Sequence, residues 1–136
     1  MIPFILAVLA CCLAGGMGGY VLARPDEALQ RAGLAPAEDN RAALAGVRGF
    51  GGLLVLAHGG TAALLGYYPS VGASMALALA LAWAGAAVGR AASTAIDRRV
   101  DGASIQALPF EVLMGLTLSL PFWAGRQFDP SPAVWV

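Results

Sequence analysis

Three side chains of a kind that apolar segments seldom carry, Arg48, Arg90 and Glu111, each stand inside a long run of Ala, Leu, Gly and Val. A guanidinium presents a planar fork of donors that matches a carboxylate or a phosphate, and a carboxylate is its natural counter-charge. Placed near the centre of a bilayer, each such residue costs about 2.5–3.5 kcal/mol on insertion scales, so these residues turn toward a protein interior and pair. Arg48 lies seven residues beyond Arg41, Arg90 seven before Asp97, and Glu111 seven beyond Ser104. At about 1.5 Å per helical residue, all three fall about 10 Å inside the helix ends. The spacing predicts one buried cluster in which Glu111 bridges Arg48 and Arg90. Such a cluster either fixes helix register or binds. Two arginines and one glutamate sum to +1, a charge that Asp97, a lipid headgroup or a small anion would balance.

His58 stands ten residues past Arg48, about 15 Å further along the same helix and away from the charged level. A histidine there can relay protons or ligate haem or a metal. A metal needs further ligands, and the donors nearest in depth, Cys11 and Cys12, diverge by about 100° on their own helix. The expectation is a neutral, hydrogen-bonded core histidine, with no metal and no cofactor. The adjacent cysteines read as small apolar core residues. Val8-Leu9-Ala10-Cys11 has the shape of a lipoprotein cleavage site, but no Lys or Arg precedes it. No paired-histidine zinc motif, phosphate-cradling loop or nucleophile elbow around Ser93, Ser104 or Ser119 is present, and Ser93 and Thr94 read as helix-packing groups. No catalytic residue is assigned.

The elements that must hold these side chains follow from composition. Of 136 residues, 12% are charged, against about 25% in an ordinary soluble domain, so no water-facing surface can be built. Eight arginines offset eight acidic residues, which leaves no basic field for nucleic acid. The chain reads as a single all-α transmembrane domain, 1–136, with spans over 2–23, 42–68, 71–96 and 104–124: an integral membrane four-helix bundle. Pro25-Asp26-Glu27 opens a short interfacial helix through Leu29 in the first loop, closed by Gly33 and followed by Pro36. Asp39-Asn40 is positioned to cap the second span, and Pro69 ends it. A charged turn, Asp97 to Gly102, precedes the fourth span, which contains Pro109 and Pro121. The tail from Gly125 carries Pro130 and Pro132, with Phe128 and Trp135 as interfacial anchors.

Arginine placement sets an orientation. The first and third loops hold Arg24, Arg31, Arg41, Arg98 and Arg99, the second holds none and the tail only Arg126, so the first and third loops face the cytoplasm and both termini the outer side. Phe4, Tyr67, Tyr68, Trp123 and Trp135 then share the outer interface. Glycines at four-residue spacing, Gly15 with Gly19 and Gly85 with Gly89, are candidate helix-packing positions, chiefly within the bundle.

Arg48 followed by Gly51-Gly52, Gly89-Arg90 with Ser93 beyond, Asp101-Gly102 and Glu111 together resemble a family of uncharacterised bacterial four-helix membrane proteins, domain of unknown function 4345. The resemblance covers about Pro25 to Ala124 and departs in the tail after Arg126. It implies a compact four-helix bundle in a bacterial cytoplasmic membrane and no activity. The leading functional expectation is a non-enzymatic accessory or structural subunit that packs against other membrane subunits or against itself. The alternatives are a transporter, channel or binder of lipid or a small anion at Arg48, Arg90 and Glu111, and an intramembrane redox protein or enzyme using His58. The halves do not repeat: a long polar loop follows the first span and a short turn the third, which argues against inverted-repeat transport.

Orientation is checked by fusing a reporter active only in the cytoplasm after Val136 and, separately, within Arg24 to Arg41. Activity is expected at the loop and absent at the C-terminus, and the reverse pattern inverts the topology.

Overall fold

Long apolar sequence in lipid has to satisfy its backbone within each segment, and the chain does so with helices. A computed structural model describes residues 1–32, 41–97 and 102–126. Its elements are α1 (Ile2–Ala23), α2 (Pro25–Arg31), α3 (Arg41–Tyr67), α4 (Pro69–Asp97) and α5 (Gly102–Arg126). All except α2 are long and apolar enough to cross a membrane. The expected closure of α2 at Gly33, the cap at Asp39-Asn40, the charged residues 98–101 and the anchors Phe128 and Trp135 lie outside the described residues.

α1 packs chiefly on α3 and α4 on α5, while α1 against α5 and α3 against α4 close a ring of four antiparallel neighbours. The α2 helix turns back at the end of α1 and touches α1 and α3. Its start follows from Pro25 at the first helical position and from Asp26 and Glu27 in the first turn, where acidic groups complement the helix dipole. α3 and α4 form a hairpin with Tyr68 as the single intervening residue. Tyr68 N–H donates to the Leu64 carbonyl at 2.8 Å, and Gly72 N–H donates to that of Tyr68 at 2.9 Å. Gly72 is required there, because a Cβ would collide with the backbone of Leu64 and Leu65. Within α5, Pro109 and Pro121 each remove a ladder hydrogen bond, which membrane helices tolerate.

The packing is inverted relative to a soluble bundle. The buried face of α1 is Ala7, Ala10, Cys11, Ala14 and Gly18, while Ile2, Ile5, Leu9 and Leu13 point outward. Lipid tails are as apolar as Leu, so helices gain little by burying large side chains against one another and gain more by close contact through small ones. The most extensive crossing, and a very close one, is α1 on α3. A Cβ on Gly18 would lie 2.6 Å from Leu54 Cβ and 2.7 Å from the Gly51 carbonyl oxygen, and one on Gly51 would lie 2.7 Å from the Gly18 oxygen.

Gly18→Ala is therefore expected to cost about 1–3 kcal/mol by forcing the helices apart. Gly16→Ala, where an added Cβ meets nothing within 4 Å, should melt like wild type in detergent. Equal melting of the two variants would refute the crossing.

Candidate functional site

The antiparallel α3–α4 hairpin places residues at similar distances from the Pro69 turn opposite each other. Trp83 of α4, about one turn further from Pro69 than His58 of α3, leans back to reach it: Trp83 Nε1–H donates to His58 Nε2 at 3.1 Å, and His58 Nδ1 lies 2.9 Å from the Leu54 carbonyl oxygen. Indole nitrogen only donates and a carbonyl only accepts, so Nδ1 carries the proton and Nε2 is the acceptor. His58 is thus neutral, buried and bonded at both ring nitrogens, as a core histidine should be. Trp83 continues edge-on to Phe110 of α5, with centroids 5.6 Å apart at 86°. One polar bond and two ring contacts join α3, α4 and α5 at mid-bundle. Trp83 was not singled out in the sequence. Reflecting His58 through Pro69 falls on Ala80, and only a search one helical turn beyond it, within reach of a long side chain that leans toward its helix N-terminus, would have found Trp83.

One and a half to two turns beyond Trp83, Arg90 crosses to α5, where its Nε donates to Glu111 Oε1 at 2.6 Å. The glutamate side chain is 5% exposed and the arginine 44%, so the carboxylate sits inside while the guanidinium is open on its other side. The other oxygen, Oε2, is buried without a hydrogen-bond partner among the described residues. A buried carboxylate half served in this way is costly, because an unsatisfied acceptor forfeits its hydration for nothing.

Arg48 does not join the pair. It is exposed, and no ion pair among the described residues links it to Glu111. The face of α3 on which it stands accounts for this. Arg48 stands one turn before Gly52, whose Cβ position is 3.4 Å from Leu22 Cδ1, and so lies on the edge of α3 turned to α1 rather than to α4. The charge at the pair is therefore zero rather than +1.

The glycines also divide differently from their spacing. At Gly15, Gly19, Gly85 and Gly89 an added Cβ meets nothing within 4 Å, so none of the four stands at a close crossing within the chain. Those crossings use Gly18, Gly51, Gly72 and Gly115. Cys11 is buried and Cys12 exposed, which separates the two thiols. No group of three or more metal-ligating side chains occurs among the described residues.

A second polar cluster, not foreseen, ties α2 to α1. Tyr20 Oη–H donates to Glu27 Oε2 at 2.7 Å, Arg24 Nη1 donates to Glu27 Oε1 at 3.0 Å, and the Arg31 guanidinium lies 4.9 Å from the centre of the Tyr20 ring. The Tyr20 hydrogen bond, with Arg24 and Arg31 nearby, holds the Glu27 carboxyl below its usual range.

An all-α bundle with four membrane-length helices, a buried Arg–Glu pair and a saturated His–Trp bond defines a polytopic membrane protein. The chain belongs to the family described as Domain of unknown function (DUF4345), whose model matches residues 2–121. No curated protein and no solved structure matches it.

Trp83→Phe removes the donor to His58 Nε2 and should cost about 1–3 kcal/mol, and Glu111→Gln should destabilise by a similar amount by breaking the ion pair. Either variant melting with wild type in detergent would show that its contact contributes nothing. For α2 the sign follows from the lowered Glu27 pKa: the Tyr20–Glu27–Arg24 link is present above the ordinary carboxylate range and is lost as pH falls through the depressed value. Acid should therefore raise proteolytic cleavage within α2, and Tyr20→Phe should move that midpoint to higher pH.

Proposed function

We propose that the chain is a non-enzymatic helical subunit of a membrane assembly, docking laterally on other membrane subunits or on a second copy of itself. The observation that carries this reading is the outer face of α4. Ser74, Ala78, Ala82, Gly85, Gly89 and Ala92 follow one another at three- and four-residue steps, and all are exposed. An exposed glycine in a helix interior costs about 0.5–1 kcal/mol relative to Ala. A ridge of small residues facing lipid gains nothing there, whereas against another helix it permits close backbone approach. The large outward side chains of α1 and α5 supply ordinary lipid-facing surface by comparison.

The proposed setting is a bacterial cytoplasmic membrane with both termini on the outer side, supported by the arginine asymmetry of the loops. A second reading, binding or transport at Arg90 and Glu111, draws support from Glu111 Oε2, which has no hydrogen-bond partner among the described residues. It loses the extra positive charge that Arg48 would have contributed. The intramembrane redox reading is weakened by the engagement of both His58 nitrogens.

Gly85→Leu with Gly89→Leu fills the α4 ridge without touching any intrachain crossing. In native membranes solubilised in a gentle detergent, the wild-type chain should migrate in a larger particle of fixed stoichiometry and the double variant as a single chain with unchanged melting. Identical particle size for both, or a wild-type monomer, would overturn the proposal.

A further inference from the structure

Away from the α4 ridge, the outer side of α1 and the inner side of α2 enclose a groove of about 460 Å³, lined by Gly16, Met17, Tyr20, Val21, Ala28 and Arg31. Its volume falls in the range of small-molecule sites. Its floor is apolar. Gly16 supplies the depth, since nothing lies within 4 Å of the place its Cβ would take. Gly16 is also seven residues from Ala23, so the groove reaches about 10 Å into the helix from its end. Its other end is polar and positive. Only Arg24 separates α1 from α2, so α2 lies at the membrane boundary with Arg31 on the rim.

The cation on that rim is pre-positioned. Arg31 rests on the Tyr20 ring, and Tyr20 is held in turn by its hydrogen bond to Glu27. Glu27 is already engaged by Arg24 and Tyr20. Arg24, Glu27 and Arg31 together carry +1, and Asp26, five residues before Arg31, projects from α2 about 140° away from it. An apolar slot along α1 that ends, among the described residues, in an excess cation at headgroup level has the shape and charge of one occupant. We propose that this groove seats an anionic phospholipid, one acyl chain over Gly16, Met17 and Val21 and the phosphate on the Arg31 guanidinium. A planar guanidinium suits phosphate oxygens, and its contact with the tyrosine ring limits the order it must gain on binding. The site is independent of lateral docking through α4, and either can fail alone.

The test is native mass spectrometry of the full chain, purified in detergent and supplied with phosphatidylglycerol or phosphatidylcholine of equal chain length. Wild type is expected to retain one phosphatidylglycerol about fivefold better than phosphatidylcholine, the ratio one interfacial charge provides. Arg31→Gln should erase that preference. Gly16→Leu, at a position with open space, should abolish retention of both lipids while circular dichroism and melting stay at wild-type values. Equal retention of the two lipids by wild type, or undiminished phosphatidylglycerol on both variants, overturns the proposal. Loss of preference in Arg31→Gln alone, with Gly16→Leu still retaining lipid, would also overturn it, because the phosphate contact would then exist without the groove.

Discussion

The approach of α1 to α3 at Gly18 and Gly51 governs the rest of the bundle. In a bilayer the apolar faces of helices are already solvated by lipid, so burial of Leu or Ile against a neighbour returns little. What remains is dispersion at short range, and that requires backbones close enough for Gly18 to face the Gly51 carbonyl with no side chain between them. Ala7, Ala10 and Ala14 continue the same face of α1 toward the other end of the bundle. The small residues inside and the large ones outside are one consequence, seen twice.

Once the helices are that close, polar side chains between them become strong constraints on register. His58 and Trp83 form a bond in which every ring nitrogen has its partner, and a dry, satisfied contact of this kind holds α3 and α4 at one level. Arg90 and Glu111 do the same for α4 and α5, but leave Oε2 without a donor among the described residues. The contrast is instructive. The first contact is finished within the chain, whereas the second, among the described residues, retains an unmet hydrogen-bonding demand at the end of the bundle where α2 lies. Buried ionic groups are better attested as fixers of register than as sources of net stability, and the position of this pair suits that role.

The surface divides by what each region can meet. The α4 ridge of small residues is suited to another helix, the bulky outer faces of α1 and α5 to acyl chains, and the α1–α2 groove with Arg31 to a molecule that is apolar at one end and anionic at the other. These regions lie on different sides of the ring of helices, so protein and lipid contacts need not compete.

The sequence by itself determined the number of spans, the helical state and the short α2, because in lipid the length of an apolar run and an unsatisfied backbone leave no alternative. It also determined the depth of Arg90 and Glu111, since depth is residue count multiplied by helical rise. Only the tertiary structure decided azimuth. Arg48 is placed at nearly the right depth but on the edge of α3 turned to α1. Gly15, Gly19, Gly85 and Gly89 have the spacing of packing glycines but face outward, while Gly18, Gly51, Gly72 and Gly115 take the crossings. With apolar residues on every side of a helix there is no polar face to mark the outside. Which stripe turns inward is then settled by the fit of whole helices to one another, a property no single segment contains.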